Sequence, residues 1–226
     1  MYFIQKNVTR IFNNQHTFFL NPKEVLEIKR KVSGINYSIY YPYKDSEKVL
    51  LYTKNIPEVL LYEIKTKICL RHQDILGTMY SLNIAPELFG DILIINNKYY
   101  IYILPIVRNY FEANFCRVKN SSVVLEEISI DTLKDYERLY DSLEIIVSSV
   151  RIDTVISRIC NISRNNFSDM IKKKEIILNY DFLKNSSYKL KENDTFSIKG
   201  IGKFKYIGIL RQTKSNHSVI KILKYL

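Results

Sequence analysis

The chain has 226 residues, 46% of them hydrophobic and 25% charged, with a formal net charge of +11. That composition suits an ordinary globular protein with one large domain or two to three small ones. The longest apolar run, 99–107, is half the length of a membrane span and contains Pro105, so no membrane partner is expected. The start, Met1-Tyr2-Phe3-Ile4-Gln5-Lys6, lacks an apolar leader, which points to the cytoplasm.

The expected fold class is α+β, in three parts. Residues 1–66 read as a small α+β domain. Asn21 can cap a helix with Pro22 at its first position, running to about Val32 and stopped by Gly34. Strand-like runs follow at 37–41, 49–53 and 59–65. Residues 67–147 read as a ferredoxin-like or RRM-like middle domain. Asp74 can start a helix through Leu82, and 91–95 and 99–104 form a hairpin across Asn96-Asn97. A helix from about Pro105 carries Val107, Tyr110, Phe111 and Phe115 on one face, and strands at 122–128 and 143–149 complete a helix-on-sheet layer. Tyr100 and Tyr102 share a strand face and could stack bases, although the glycine-containing pattern of RNA-recognition sheets is absent and Tyr/Ile alternation is ordinary strand chemistry.

Charge separates the third part, 148–226, from the rest. Residues 1–147 hold 18 Lys and Arg against 17 Asp and Glu, whereas 148–226 hold 16 against 6. The usage of Ile, Asn, Lys and Tyr, with few Ala and Gly, can reflect an AT-rich genome, but that bias would spread lysine evenly. A basic module on a neutral body is the electrostatic footprint of nucleic-acid binding. Its first helix spans roughly 151–161, with Ile152, Val155, Ile156 and Ile159 inward and Arg151, Thr154 and Arg158 on another face. Its second opens at the N-cap residue Ser163. There Phe167, Met170 and Ile171 point inward, and Arg164, Ser168 and Lys172 make a basic flank. A helix N-terminus beside arginine suits a phosphate. The run Lys172-Lys173-Lys174 also suits the C-terminal dipole without any ligand. Short strands are expected at 175–179, 196–199, 203–210 and 219–223.

Arg151-Ile152-Asp153, Ser163-Arg164, Met170-Ile171-Lys172-Lys173, Ile177-Leu178-Asn179 and Asn193-Asp194 resemble the S4-type (αL) RNA-binding domain, two helices on a small sheet. The extension Ser197-Ile198-Lys199-Gly200-Ile201-Gly202-Lys203-Phe204 resembles the tail of the YlmH family of bacterial RNA-binding proteins. Upstream, Phe19-Leu20-Asn21-Pro22-Lys23-Glu24, residues 70–77 and Phe89-Gly90-Asp91-Ile92-Leu93 are similar to that family's helix start and middle-domain signature. The resemblance implies a non-catalytic protein on rRNA and tRNA of the large ribosomal subunit, with ribosome quality-control factors as further partners and stalled peptidyl-tRNA complexes as the setting. RNA contacts are expected from Arg151, Arg158, Ser163, Arg164, Asn165, Ser168, Lys172, Lys173, Lys199, Lys203 and Lys205. Departures from the family pattern weigh on the middle domain: Gln73 stands where arginine is common, and Ala85-Pro86 replaces a basic pair. In the C-terminal domain, Lys174 occupies the position of a helix-ending glycine, and Tyr180 replaces the glycine common after Asn179, although the resembled family often has an aromatic there.

The S4-type domain also decorates enzymes, so an RNA-modifying enzyme of the pseudouridine-synthase or methyltransferase type, or its accessory subunit, is the alternative. Arg151-Ile152-Asp153 resembles the Arg-Leu-Asp of pseudouridine synthases, but it equally opens the S4-type domain, and no catalytic domain follows. Only six glycines are present, and Gly200-Ile201-Gly202 lies between strands rather than before a helix, so a nucleotide cofactor is not expected. His72 near Asp74 reads more readily as capping than as acid–base chemistry. Cys69, Cys116, Cys160 and the histidines His16, His72 and His217 lack metal-ligand spacing.

Overall fold

Apolar residues at helical spacing open the chain. In α1 (Tyr2–Phe12), Ile4, Val8 and Ile11 lie on one face and pack with Val25 and Ile28 of α2 (Pro22–Lys31). The computed structural model describes residues 2–226, and at Arg164 the main chain only. Helix α2 begins as expected. Asn21 Oδ1 accepts the Glu24 N–H at 3.0 Å, and Glu24 Oε2 accepts the Asn21 N–H at 2.8 Å, which satisfies two end donors reciprocally. Past its C-cap, Val32, Gly34 takes a φ of +91° and turns the chain away. A short antiparallel pair follows, β1 (Ser38–Tyr40) with β2 (Leu50–Tyr52).

The middle region is a four-stranded antiparallel sheet built from β3 (Leu60–Lys65), β4 (Phe89–Ile95), β5 (Lys98–Ile103) and β8 (Val124–Ile128). A two-residue-stranded hairpin, β6 (Arg117–Val118) with β7 (Ser121–Ser122), precedes β8. Helix α3 (His72–Ser81) connects β3 to β4, and α4 (Arg108–Asn114) lies between β5 and β8. The spatial order β4-β5-β3-β8 is that of the split β-α-β-β-α-β, ferredoxin-like arrangement. Asn96 and Asn97 both take positive φ in the β4–β5 turn, as a two-residue hairpin requires. Residues 59–65, expected to close an N-terminal domain, instead form the strand flanked by β5 and β8 in this sheet.

Both faces of this sheet are covered. Ile75, Met79, Phe111 and Phe115 of the helical layer pack on Tyr62, Ile64, Tyr99 and Ile101. On the other face Phe18, Phe19, Tyr43 and Leu50 pack on Leu61, Leu93, Tyr100 and Tyr102. Tyr100 and Tyr102 are therefore 6% and 0% exposed, and Tyr102 stacks on Tyr43 with centroids 5.7 Å apart. This overturns base stacking by these two tyrosines: the segment before β3 occupies the face that an RNA-recognition sheet leaves open.

Contacts divide the chain into two units, 1–137 and 138–226. The second is one six-stranded sheet in the order β11-β10-β12-β13-β14-β9. Its strands are β9 (Tyr140–Val147), β10 (Ile176–Leu178), β11 (Asp181–Phe182), β12 (Thr195–Ile198), β13 (Gly202–Gln212) and β14 (Ser218–Tyr225). Helices α5 (Ile152–Cys160) and α6 (Arg164–Lys172) pack on one face, with Val155, Ile156 and Phe167 against Phe196, Ile198, Phe204, Ile220 and Ile222. The boundary lies ten residues before the expected 147/148. Strand β9, assigned from sequence to the middle domain, pairs antiparallel with β14 over eight residues. Its inward Leu143, Ile145 and Val147 join the second core. The second unit then holds 17 Lys and Arg against 8 Asp and Glu, so the charge asymmetry survives the shift.

Candidate nucleic-acid interface

The expected contact residues fall on two surfaces of the second unit, not one. Arg158, in the last turn of α5, is exposed, as are Ser163, Asn165, Ser168, Lys172 and Lys173 along α6 and at its end. Between the two helices Asn161 ends α5 at φ +52° and ψ +49°. Asparagine tolerates that left-handed conformation, which lets Ser163 start α6 two residues later. Ser163 Oγ accepts the Asn166 N–H at 3.3 Å. Arg164 opens α6, and its side chain lies outside the described residues. Lys172 Nζ lies 3.3 Å from Asp169 Oδ1, with side chains 77% and 59% exposed, so the pair is weak and open to exchange for phosphate. Lys199 belongs with this group, because its N–H bonds the Glu175 carbonyl at 2.9 Å just beyond the α6 end.

Lys203 and Lys205 are elsewhere. They alternate with the buried Phe204 and Tyr206 of β13 and so project from the sheet face opposite the helices. There Lys203 Nζ sits 5.0 Å from the Tyr180 ring centroid and 4.9 Å from that of Tyr225. Arg138 lies 5.5 Å from the same Tyr225 ring, and Tyr140 meets it edge-on at 5.1 Å. Sequence reading missed Arg138, Tyr140, Tyr180 and Tyr225. The period-2 spacing around Phe204 and Tyr206 was the signal for the face, but the partners come from strands that only the fold makes neighbours.

Arg151 holds a structural post. Its Nε donates to Asp153 Oδ1 at 3.1 Å and its Nη2 to Ser187 Oγ at 2.9 Å. Burial pushes the Asp153 carboxyl up, but Arg151 and the Thr154 N–H, which donates at 2.7 Å, outweigh it and hold the group below its usual range. That carboxylate is engaged at the start of α5. Asn179 and Asp194 form a second lock: Asn179 Nδ2 donates to Asp194 Oδ1 at 2.7 Å, and the Lys191 and Thr195 N–H groups complete it.

In the first unit, Tyr62, Arg108, Glu112 and Glu127 line a hollow of about 390 Å³. The Tyr62 hydroxyl donates to Glu112, and the Arg108 guanidinium bonds both carboxylates. Burial, then the bond to Glu112, pushes the Tyr62 phenol far above its usual range. Among the described residues no cluster of three metal-binding side chains occurs, and no helix is long and apolar enough to cross a membrane.

A ferredoxin-like region and a cationic helix-on-sheet unit make this an α+β protein. Residues 58–132 match the family model described as "Putative RNA-binding domain in YlmH". Over 213 residues the chain is 22% identical to the ribosome-associated protein quality control protein P2 of Bacillus subtilis, covering 88% of this chain and 83% of that protein. The cell division protein YlmH of Streptococcus pneumoniae shares its fold, with a TM-score of 0.50 and 23% identity over 59% of this chain and 93% of that one. By these findings residues 58–132 resemble the RNA-binding domain of YlmH, and the chain is similar to both of these proteins.

Proposed function

We propose that this protein is a non-catalytic RNA-binding factor of ribosome-associated quality control, which holds rRNA and tRNA on large ribosomal subunits. The cationic edge of α5 and α6 carries the reading: Arg158 stands exposed in the last turn of α5, shortly before the α6 start at Ser163, whose dipole favours an anion, and Lys172, Lys173 and Lys199 stand exposed at the far end of α6. The match to an RNA-binding domain and the name of the B. subtilis relative support it. In this reading 148–226 form an S4-type domain, preceded by β9, and 1–137 make up the first unit. Arg151 serves that domain by fixing α5, and Arg164, Asn165 and Ser168 supply polar contacts along α6. Binding rather than catalysis is favoured because the ionisable groups of the first unit's hollow satisfy one another, and Asp153 is engaged by Arg151 and Thr154.

Phosphate contacts position a protein on RNA without reading sequence. Selectivity then comes from shape, and a stranded peptidyl-tRNA on a split subunit offers a composite surface. The test is co-sedimentation with purified large subunits, with and without peptidyl-tRNA, at matched salt. Greater occupancy of the loaded subunits is expected. Equal occupancy, or preference for small subunits, refutes the quality-control reading.

A further inference from the structure

The face of the second unit's sheet away from α5 and α6 has a composition that core packing does not explain. Beside the Lys203, Tyr180, Tyr225, Tyr140 and Arg138 cluster lie Lys205, paired in register with Leu223, and Lys221, paired with Glu144. Two carboxylates border it. Glu144 is bonded by Arg211 at 3.2 Å, and Glu192 rests against Gly208. Cations therefore outnumber carboxylates on this face, and three partly buried tyrosine rings stand among them. Tyr180 occupies the second position of the β10–β11 turn at φ +69°, a conformation disfavoured for a bulky side chain, and there its ring lies beside Lys203.

We infer that this face is a second RNA site, which takes unpaired nucleotides by stacking bases on Tyr225, Tyr140 and Tyr180 while Arg138, Lys203 and Lys205 meet the phosphates. Sequence-tolerant single-strand binding combines these two elements, aromatic platforms along a cationic track. A lysine stem is flexible. Once a phosphate draws the Lys203 ammonium aside, the ring faces it covers open to a base. The inference extends the RNA-binding reading, which concerns the helix face, and stands on different residues.

The full-length chain is titrated by fluorescence anisotropy with three labelled probes: a 12-nucleotide oligouridylate, an abasic strand of equal length, and an RNA hairpin. The wild type is expected to prefer oligouridylate over the abasic strand. Tyr225→Leu, which keeps a strand-compatible residue but removes the ring, lowers oligouridylate affinity roughly tenfold. It leaves hairpin and abasic binding unchanged, and Tyr225→Phe retains the wild-type preference. If Tyr225→Leu weakens all three probes, Tyr140→Leu decides: a selective loss for oligouridylate supports the site. Equal wild-type affinity for oligouridylate and abasic strand overturns it, as does an effect of both leucine variants that ignores the bases. Loss of hairpin binding by the wild type would instead strike the helix-face reading, while the comparison of the two single strands remains readable.

Discussion

Lys48 shows how one side chain ties segments together. Its ammonium donates to the Pro86 carbonyl at 2.7 Å and the Phe89 carbonyl at 2.8 Å, and rests 4.3 Å from the Phe89 ring centroid. Burial lowers its pKa to about 8, against the opposing pull of Asp91, Glu24, Glu87 and Glu47. Below about pH 8 folded and unfolded chains are both protonated there, so the group adds no pH dependence. Between about 8 and 10.5 the folded chain sheds the proton first, the unfolded state binds more protons, and stability rises with pH. The stability of the wild type relative to Lys48→Met, from urea unfolding, is expected to rise from pH 7 to 9.5. A flat difference refutes the buried ammonium. Asp74 behaves oppositely. Its carboxylate is bonded by the Arg71 side chain, by Lys119 at 2.7 Å and by the Arg71 N–H at 2.9 Å, which together hold its pKa well below the usual 3.8. Its contribution is complete above about pH 4 and is lost as pH falls through the depressed folded value. Asp74→Ala should cost about 1 kcal/mol at pH 7, as a lost cap does, and the difference should shrink in strong acid.

At the scale of elements, local chemistry was legible and partnership was not. Asn21-Pro22-Lys23-Glu24 contains the whole capping box of α2, Asn96-Asn97 the hairpin turn, and Ser163 the start of α6. Strand β9 was misplaced because an antiparallel strand's partner is set by tertiary contact, and 218–225, its partner, lies about seventy residues on. The buried Tyr100 and Tyr102 failed for the same reason: alternation shows that a strand has two faces, not what covers the second. Helix α1 passed unread, having neither an acidic first turn nor a stop glycine. The candidate interface was half legible, since the α5–α6 cations follow from helical spacing, whereas the aromatic members opposite are joined only by sheet order. Lys174 ends α6 at φ +55° with its ammonium 5.7 Å from the Phe182 ring centroid. Lys174→Gly should relieve the left-handed strain and stabilise the chain by about 1 kcal/mol, less the lost ring contact, as thermal unfolding would show. Asp169→Asn releases Lys172 and removes a charge from the helix edge. RNA affinity at low salt should rise about two- to threefold, and log affinity should fall more steeply with log salt. An unchanged slope would mark the α6 edge as solvated surface.

For the whole molecule, the position of the domain border decides which fragments can act alone. A cut at 147/148 follows the composition change but removes β9, and with it Leu143, Ile145 and Val147 from the second core. It also bares all eight residues of β14 as a sheet edge, a template for pairing with other chains. Fully burying an aliphatic side chain contributes about 1.5–3 kcal/mol; Val147 is buried and Leu143 and Ile145 partly so, so losing the three removes a sizeable share of the stability of a unit of this size. A cut at 137/138 keeps the sheet and both helices intact. Residues 138–226 are therefore expected to express as a monomer with a cooperative unfolding transition, and 148–226 as an aggregating or unfolded chain. The folded fragment also carries most of the excess charge, so it should bind a structured RNA hairpin at least about tenfold more tightly than 1–137 in a filter assay at 100 mM salt. Equal affinity of 1–137 would move the principal grip to the matched segment 58–132 and remove the charge argument from the second unit. A well-folded 148–226 with undiminished affinity would show that β9 is dispensable, and that the composition change marks the functional border after all.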